Sequence, residues 1–330
     1  MPVKKYNVVG IGNAIVDILA NVEDDFLQEH NLRKGMMRLV DELEVKRLHT
    51  CIDAVKEVSG GSAANTIAGL ASLGNSVAFM GKVRDDPPGE SFEKGLKALG
   101  VNYCTKKAVS GQPTACCVVL TTPDAQRTMN TCLGISGSLG PEDIDETIIS
   151  QSEIIYLEGY LWDSDEAKKA FKKAVRIAGG AGGRVALSLS DSFCVRRHRV
   201  EFLDLVKNHI NILFANEEEI KSLFETSTPE KAISRCREMK NICAITRSEK
   251  GSVVVFKDRI YMISPQRNIN VVDTTGAGDL YAAGFLHGLI KGMDLESCGK
   301  IGSIIAAEVI SHFGARPEIS LIELLNGSGF

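Results

Sequence analysis

Asp273-Thr274-Thr275-Gly276-Ala277-Gly278-Asp279 follows a β-like run, Ile269–Val272, and opens an apolar helical run through Leu280, Ala283, Phe285, Leu286 and Leu289. A glycine-rich turn that opens a helix leaves several backbone N–H groups without partners. Those donors and the helix dipole make a site for an anion such as phosphate. Gly276 and Gly278 let the backbone approach a ligand with no Cβ between them. Asp279, in the first helical turn, has two readings: a favourable charge at a helix start, or a base that takes a proton from an attacking hydroxyl. The turn by itself leaves both open.

Outward from this stretch, strand-like apolar runs alternate with helix-like ones. Val8–Ile11, Val77–Met80, Ile154–Leu157, Val185–Leu189, Ile210–Phe214, Cys243–Thr246 and Ser252–Phe256 read as strands. Ala63–Leu73, Gly89–Leu99, Asp165–Ile177 and Glu217–Phe224 read as helices. The alternation predicts an α/β fold with a mostly parallel sheet covered on both faces. Asp17–Val22 with Met36–Val40, and Asn102–Met129, look like β-rich excursions without helices between them. They are expected to form a small sheet standing off the main body as a lid, from about 15–42 and 102–130. No linker or repeat interrupts the chain, so 1–330 reads as one domain with a lid.

The 330 residues carry a net charge of −4 with both signs scattered. No basic stripe suggests a nucleic-acid partner. No segment approaches the roughly 20 apolar residues that span a bilayer. The apolar run at Val8–Ile11 is too short for a secretory leader. Nine cysteines lack any C-x-x-C spacing, so neither a zinc site nor a disulfide framework is expected, and a reducing, cytoplasmic setting fits. The common nucleotide motifs are missing. Gly81-Lys82 lacks the earlier glycine of a P-loop, since position 76 is Ser, and Gly10-Ile11-Gly12 has Ile15 where a dinucleotide fingerprint needs its third glycine.

Two further motifs join the first: Gly60-Gly61-Ser62-Ala63-Ala64-Asn65 and Asn216-Glu217-Glu218-Glu219. In order and spacing the three together resemble the ribokinase (PfkB) family of sugar and nucleoside kinases, from about Val8 to Pro317. Gly12-Asn13-Ala14-Ile15-Val16-Asp17-Ile18, Gln112-Pro113-Thr114, Arg127-Thr128-Met129 and Leu187-Ser188-Leu189-Ser190 are similar to the adenosine-kinase branch. The resemblance implies a ribokinase-like three-layer sandwich with a small β-sheet lid. It also implies an ATP- and Mg²⁺-dependent phosphotransferase acting on a hydroxyl of a small molecule. A monovalent cation near Asp273 and Gly314-Ala315-Arg316 occurs in some relatives.

Carried over by motif, the resemblance makes Asp279 the base, with Gly276, Ala277, Gly278 and Arg127 balancing charge on the transferred phosphoryl group. Asn13, Asp17, Gly60, Gly61 and Asn65 would contact the acceptor. Asn216, Glu219, Thr246 and Gly251 would face ATP, with Glu219 reaching Mg²⁺ through water. Each has a plainer reading beside it. Gly60-Gly61 also makes a turn before a helix with Ser62 as its cap. Asn216 with Glu219 is also a capping box. Arg127 is also an ordinary surface arginine on a hairpin, and Asp17 an exposed lid carboxylate.

The acceptor is expected to be a purine nucleoside, adenosine first, phosphorylated on its primary hydroxyl. Gly159-Tyr160-Leu161-Trp162 falls where adenosine kinases carry residues near the base, although a lone Trp is more often core. Glu158 and Asp163 depart from that apolar pattern and leave room for a ribose- or fructose-type sugar. Two other classes stand further off, an inactive binding protein of the same fold and a dehydrogenase. The assembly reads as monomer or homodimer.

Overall fold

The computed structural model describes residues 4–330. Nine strands form the large sheet: β1 (Tyr6–Ile11), β5 (Val77–Met80), β6 (Asn102–Tyr103), β9 (Ser152–Glu158), β10 (Arg184–Ser188), β11 (Ile212–Asn216), β12 (Ile242–Thr246), β13 (Ser252–Phe256) and β14 (Arg259–Ile263). Their order is β14-β13-β12-β11-β10-β9-β1-β5-β6. All pairings are parallel except those of β13 with β12 and with β14.

Both faces are covered because neighbouring strand residues point to opposite sides. Val9 and Ile11 join a core that includes Phe171, Phe202 and Ile220. Val8 joins the other core, with Ile67, Phe79, Phe92 and Phe285. The second core holds the helices Ser62–Ser72, Pro87–Ala98, Ala277–Ile290 and Leu295–Val309. From β1 the chain winds outward to β5 and β6, then returns to β9 and winds the other way. That reversal opens a crevice at the carboxyl ends of the strands, where ligands of open α/β sheets bind.

The second sheet has the order β3-β8-β7-β2-β4, from β2 (Ile15–Asn21), β3 (Met37–Leu39), β4 (Lys56–Gly60), β7 (Ala115–Thr121) and β8 (Arg127–Cys132). Ile18, Ala20, Val118 and Leu120 pack with Leu27, Val45 and Leu48 from the helices Asp24–Glu29 and Glu42–Thr50.

Three expectations need correction. The excursions do contain helices, Asp24–Glu29 and Glu42–Thr50, which cover the outer face of the small sheet. Asn102–Tyr103 is the edge strand of the large sheet, paired with Ala78 and Phe79, while β4 supplies the missing lid edge. Ile269–Val272 is not a strand: Val271 and Val272 are exposed, and the Val272 N–H donates to the Ile310 carbonyl in a bend instead of a sheet.

Candidate active site

A cavity of about 720 Å³ lies between the two sheets, within the range of small-ligand sites. From the large sheet it takes the strand ends Glu158, Ser188, Asn216 and Thr246. From the lid it takes Asp17, Cys117 and Arg127. The Thr274–Asp279 turn closes one side.

Gly276 has φ +77 and is the N-cap of the Ala277–Ile290 helix. A Cβ there would come within 2.7 Å of Ala315 Cβ, so only glycine lets the turn lie on the Gly314–Arg316 bend. Asp273, fully buried, ties the two loops together. Its Oδ1 accepts from the Thr275 N–H (2.9 Å) and hydroxyl (2.6 Å), and its Oδ2 accepts from the Gly314 N–H (2.9 Å). Gly276, Ala277 and Gly278 line the cavity, with the Ala277 N–H donating to the Thr274 carbonyl (3.4 Å).

Asp279 sits in the first turn of that helix. Its carboxylate accepts from Ser62 Oγ (2.7 Å) and Asn65 Nδ2 (3.0 Å), and Thr66 Oγ1 donates to its carbonyl (3.1 Å). Burial raises its pKa, while Ser62, Asn65, Arg127 and Arg316 pull it back. The result is a carboxylate that is oriented, faces the cavity and is more basic than one in water.

The Gly60-Gly61 turn explains why Ser62 does not act as the expected cap. Gly61 is the N-cap of Ser62–Ser72, with φ +94 and no side chain. A Cβ on it would meet the Asn13 carbonyl at 2.2 Å. Ser62, the first helical residue, is thereby free to turn toward Asp279. The missing cap comes from another strand: Glu158 Oε2 accepts from the Ala63 N–H (2.8 Å). Its Oε1 accepts from Asn13 Nδ2 (2.6 Å), and Asn13 Oδ1 accepts from Ser136 Oγ (2.6 Å).

Asp17, Glu158 and Glu219 are almost fully buried, and desolvation pushes each up to about 7. For Asp17 the largest opposing influence is the Arg316 charge. Glu219 closes a capping box with Asn216: its Oε2 accepts from the Asn216 N–H (3.0 Å), its Oε1 from Asn216 Nδ2 (2.7 Å), and Asn216 Oδ1 accepts from the Glu219 N–H (2.8 Å). Arg127, at the start of β8, has its Nε 4.0 Å from Asp273 Oδ1.

The cavity thus gathers Asn13, Asp17, Gly61, Asn65 and Arg127 with Asn216, Glu219 and Thr246 and the turn Gly276-Ala277-Gly278-Asp279. Two expected residues do not line it. Gly60 lies behind Asp17. Gly251 (φ +81) forms the β12–β13 turn, where a Cβ would meet the Ile263 carbonyl at 2.1 Å. Trp162 is 2% exposed and packs on Phe171 and Phe202, donating to Glu201 Oε2 at 2.5 Å. It belongs to the core, and Tyr160 and Asp163 of the same segment reach the cavity in its place. The sequence reading also missed Glu158 as a surrogate cap and Arg316 as a partner of the glycine turn. A polar residue ending an apolar strand, as in Ile154–Glu158, was the available signal for the first.

Residues 36–321 match the model of the pfkB family of carbohydrate kinases, and the chain belongs to that family. It is an α/β kinase that transfers phosphate to a hydroxyl of a sugar or nucleoside. The crystal structure of an adenosine kinase from Sinorhizobium meliloti is 45% identical, with a TM-score of 0.94 over 98% of this chain and 99% of that one. A probable sugar kinase from Rhizobium etli CFN 42 is 42% identical, with a TM-score of 0.95 over 99% of each chain. A nucleoside kinase from Methanocaldococcus jannaschii is 28% identical over 271 residues, 81% of this chain and 84% of that protein. Among the described residues no helix is long and apolar enough to cross a membrane.

Proposed function

We propose that this kinase transfers the γ-phosphoryl group of ATP to the primary hydroxyl of a purine nucleoside, with adenosine the leading acceptor. The observation that carries the chemistry is Asp279, held by Ser62 and Asn65 at the glycine turn inside the cavity. Two donors leave its carboxylate room to accept a third hydrogen bond from the acceptor hydroxyl. Its raised pKa brings it closer to the proton it must take. The amides at Gly276–Gly278 offer fixed donors to the charge on the moving phosphoryl group. Arg127 approaches from the lid.

On the acceptor side, Asp17 presents a carboxylate able to accept from neighbouring hydroxyls, beside Asn13 and the backbone at Gly61. Apolar lid residues Ile15, Met36, Leu39 and Met129, with Leu133 and Phe193, also line the cavity. That surface suits a base better than a free sugar, and the 45% identity to a protein called adenosine kinase points the same way. Both Glu219 oxygens are committed to Asn216. The donor set therefore fits Mg²⁺ held through water and ATP oxygens, not a direct carboxylate cage. Bound there, the ion would offset negative charge on the phosphates. Asn216, Glu219 and Thr246 would form the ATP side.

The test is Asp279→Asn, assayed over a panel of nucleosides and simple sugars. Turnover is expected to fall about 10²–10⁴-fold with acceptor and ATP binding retained. Near-normal turnover removes Asp279 as base. Ribose or fructose used better than every nucleoside by the wild type overturns the acceptor assignment.

A further inference from the structure

Arg316 is separated by more than 250 residues from the turn it touches. Its Nε (3.0 Å) and Nη2 (2.6 Å) donate to the Ser59 carbonyl, and its Nη1 (3.0 Å) to the Ala64 carbonyl. These carbonyls stand on either side of Gly60–Ala63. Ser59 belongs to β4, the edge strand of the lid, and Ala64 to the first turn of a helix of the main body. The guanidinium fork therefore spans the one-residue crossing, Gly61, between lid and body. Its own bend is fixed by Asp273, through Gly314, and by Glu308, whose Oε1 accepts from the Glu318 N–H (3.0 Å).

The fork spends its hydrogen bonds on carbonyls, so its charge is not cancelled in a direct ion pair. Arg316 and Arg127 are the cations acting on Asp17, and Arg316 acts the more strongly. The anions acting on Asp17 are Asp279 and Asp273; Asp279 in turn acts on Glu158 and, together with Asp191, on Glu219. Enclosure lowers the Arg316 pKa to about 10, so it stays cationic at neutral pH.

We propose that Arg316 is a positioning residue of the reaction, fixing the Gly60–Gly61 crossing with its fork and supplying a permanent positive charge that acts on both Asp17 and Asp279. The inference rests on the reading of Asp279 as base and Asp17 as acceptor ligand. A methionine at 316 removes fork and charge together; a lysine keeps the charge and loses the fork.

The experiment compares pH–rate profiles, kcat, and KM for acceptor and for ATP in the wild type, Arg316→Met, Arg316→Lys and Asp279→Asn. For Arg316→Met the acid limb of kcat/KM is expected to move up by about one pH unit or more, with acceptor KM raised and ATP KM near wild type. Arg316→Lys is expected to keep the acid limb but raise acceptor KM, and to lose activity early at alkaline pH, since an enclosed lysine deprotonates more easily. A folded Arg316→Met with an unmoved acid limb overturns the electrostatic role. An Arg316→Lys variant with wild-type acceptor KM overturns the clamp, and one with no early alkaline loss overturns the enclosed charge even if Arg316→Met does not fold. Activity surviving in Asp279→Asn, by contrast, defeats the base assignment on which the inference rests, an outcome separate from any of the Arg316 comparisons.

Discussion

A methyl group on Gly60 would lie 1.9 Å from Asp17 Oδ2. β2 and β4 run antiparallel with Asp17 opposite Val58 and Ile15 opposite Gly60, so the Asp17 side chain leans across the strand into the space a Cβ would fill. The glycine is thus set by the carboxylate beside it. Its own φ is not in the left-handed region that favours glycine.

Gly60→Ala therefore acts on Asp17. The Asp17 side chain can swing toward the cavity, so the fold survives, but the carboxylate leaves its place. Acceptor kcat/KM is expected to fall about 100-fold, the scale of a misplacement near 1 Å, with KM for ATP little changed. Thermal melting and separate titration of the two substrates check this. An unaltered acceptor KM removes Asp17 from the acceptor site.

The buried carboxylates make activity and stability run in opposite directions with pH. Asp17, Glu158 and Glu219 are pushed up to about 7 in the folded chain, against about 4 unfolded. Between those values the folded state binds more protons, so the ligand-free protein loses stability as pH rises from about 4 to 7. His287 opposes this, because burial lowers its pKa and favours the fold as pH rises, but it is one group against four, since burial raises Asp279 as well. Glu44, held at about 2 by Arg47, acts below the window. Catalysis needs Asp17 and Asp279 ionised and should climb over the same range. Melting temperatures at pH 5.5 and 8 beside a kcat/KM profile decide the point. Tm rising with pH would show that these carboxylates are not protonated in the fold.

The fold was legible because β1, β5 and β9 through β13 are buried on both faces and read as unbroken apolar runs. β4, with Lys56 and Glu57 exposed, carries no such signal, and its pairing with β2 depends on contacts distant in sequence. Val271 and Val272 misled for the converse reason, as exposed β-formers, with the Val272 N–H taken by the Ile310 carbonyl at the end of the Leu295–Val309 helix. In the site, motif residues that face the cavity were readable. Glu158 and Arg316 were not, because they act on backbone groups 95 and more than 250 residues away, and only the folded topology brings them together.

Trp162 offers a probe of the core. It is the sole tryptophan, packed against Phe171 and Phe202 away from the cavity. Its emission is expected to stay constant as nucleoside saturates the enzyme and to shift when the chain unfolds in urea. Trp162→Ala should cost about 3–5 kcal/mol of stability, measured from the same urea curves. A large change in emission on acceptor binding would place the indole in the site after all.

Glu158→Gln isolates the surrogate cap. The carboxylate receives two donors, the Ala63 N–H on Oε2 and Asn13 Nδ2 on Oε1. A glutamine has one oxygen for them and sets its own NH₂ against the other donor. If Asn13 flips to relieve the conflict, its Nδ2 turns toward Ser136 Oγ and the buried Ser136 hydroxyl loses the acceptor it has in Asn13 Oδ1. One buried donor is left unsatisfied, a loss of about 1–3 kcal/mol. If the Ala63 N–H is the one abandoned, the helix start shifts and takes Ser62 and Asn65 off Asp279. If Asn13 is abandoned, the acceptor contact loosens. Both routes lower kcat/KM for the acceptor while leaving ATP affinity intact, since Asn216 and Thr246 end other strands and Glu219 lies in the helix Glu217–Phe224. Gly12→Ala should reproduce the defect, because its Cβ would come within 2.4 Å of Glu158 Oε2. Should Glu158→Gln melt lower than wild type yet turn over normally, the cap stabilises the fold without aligning the site.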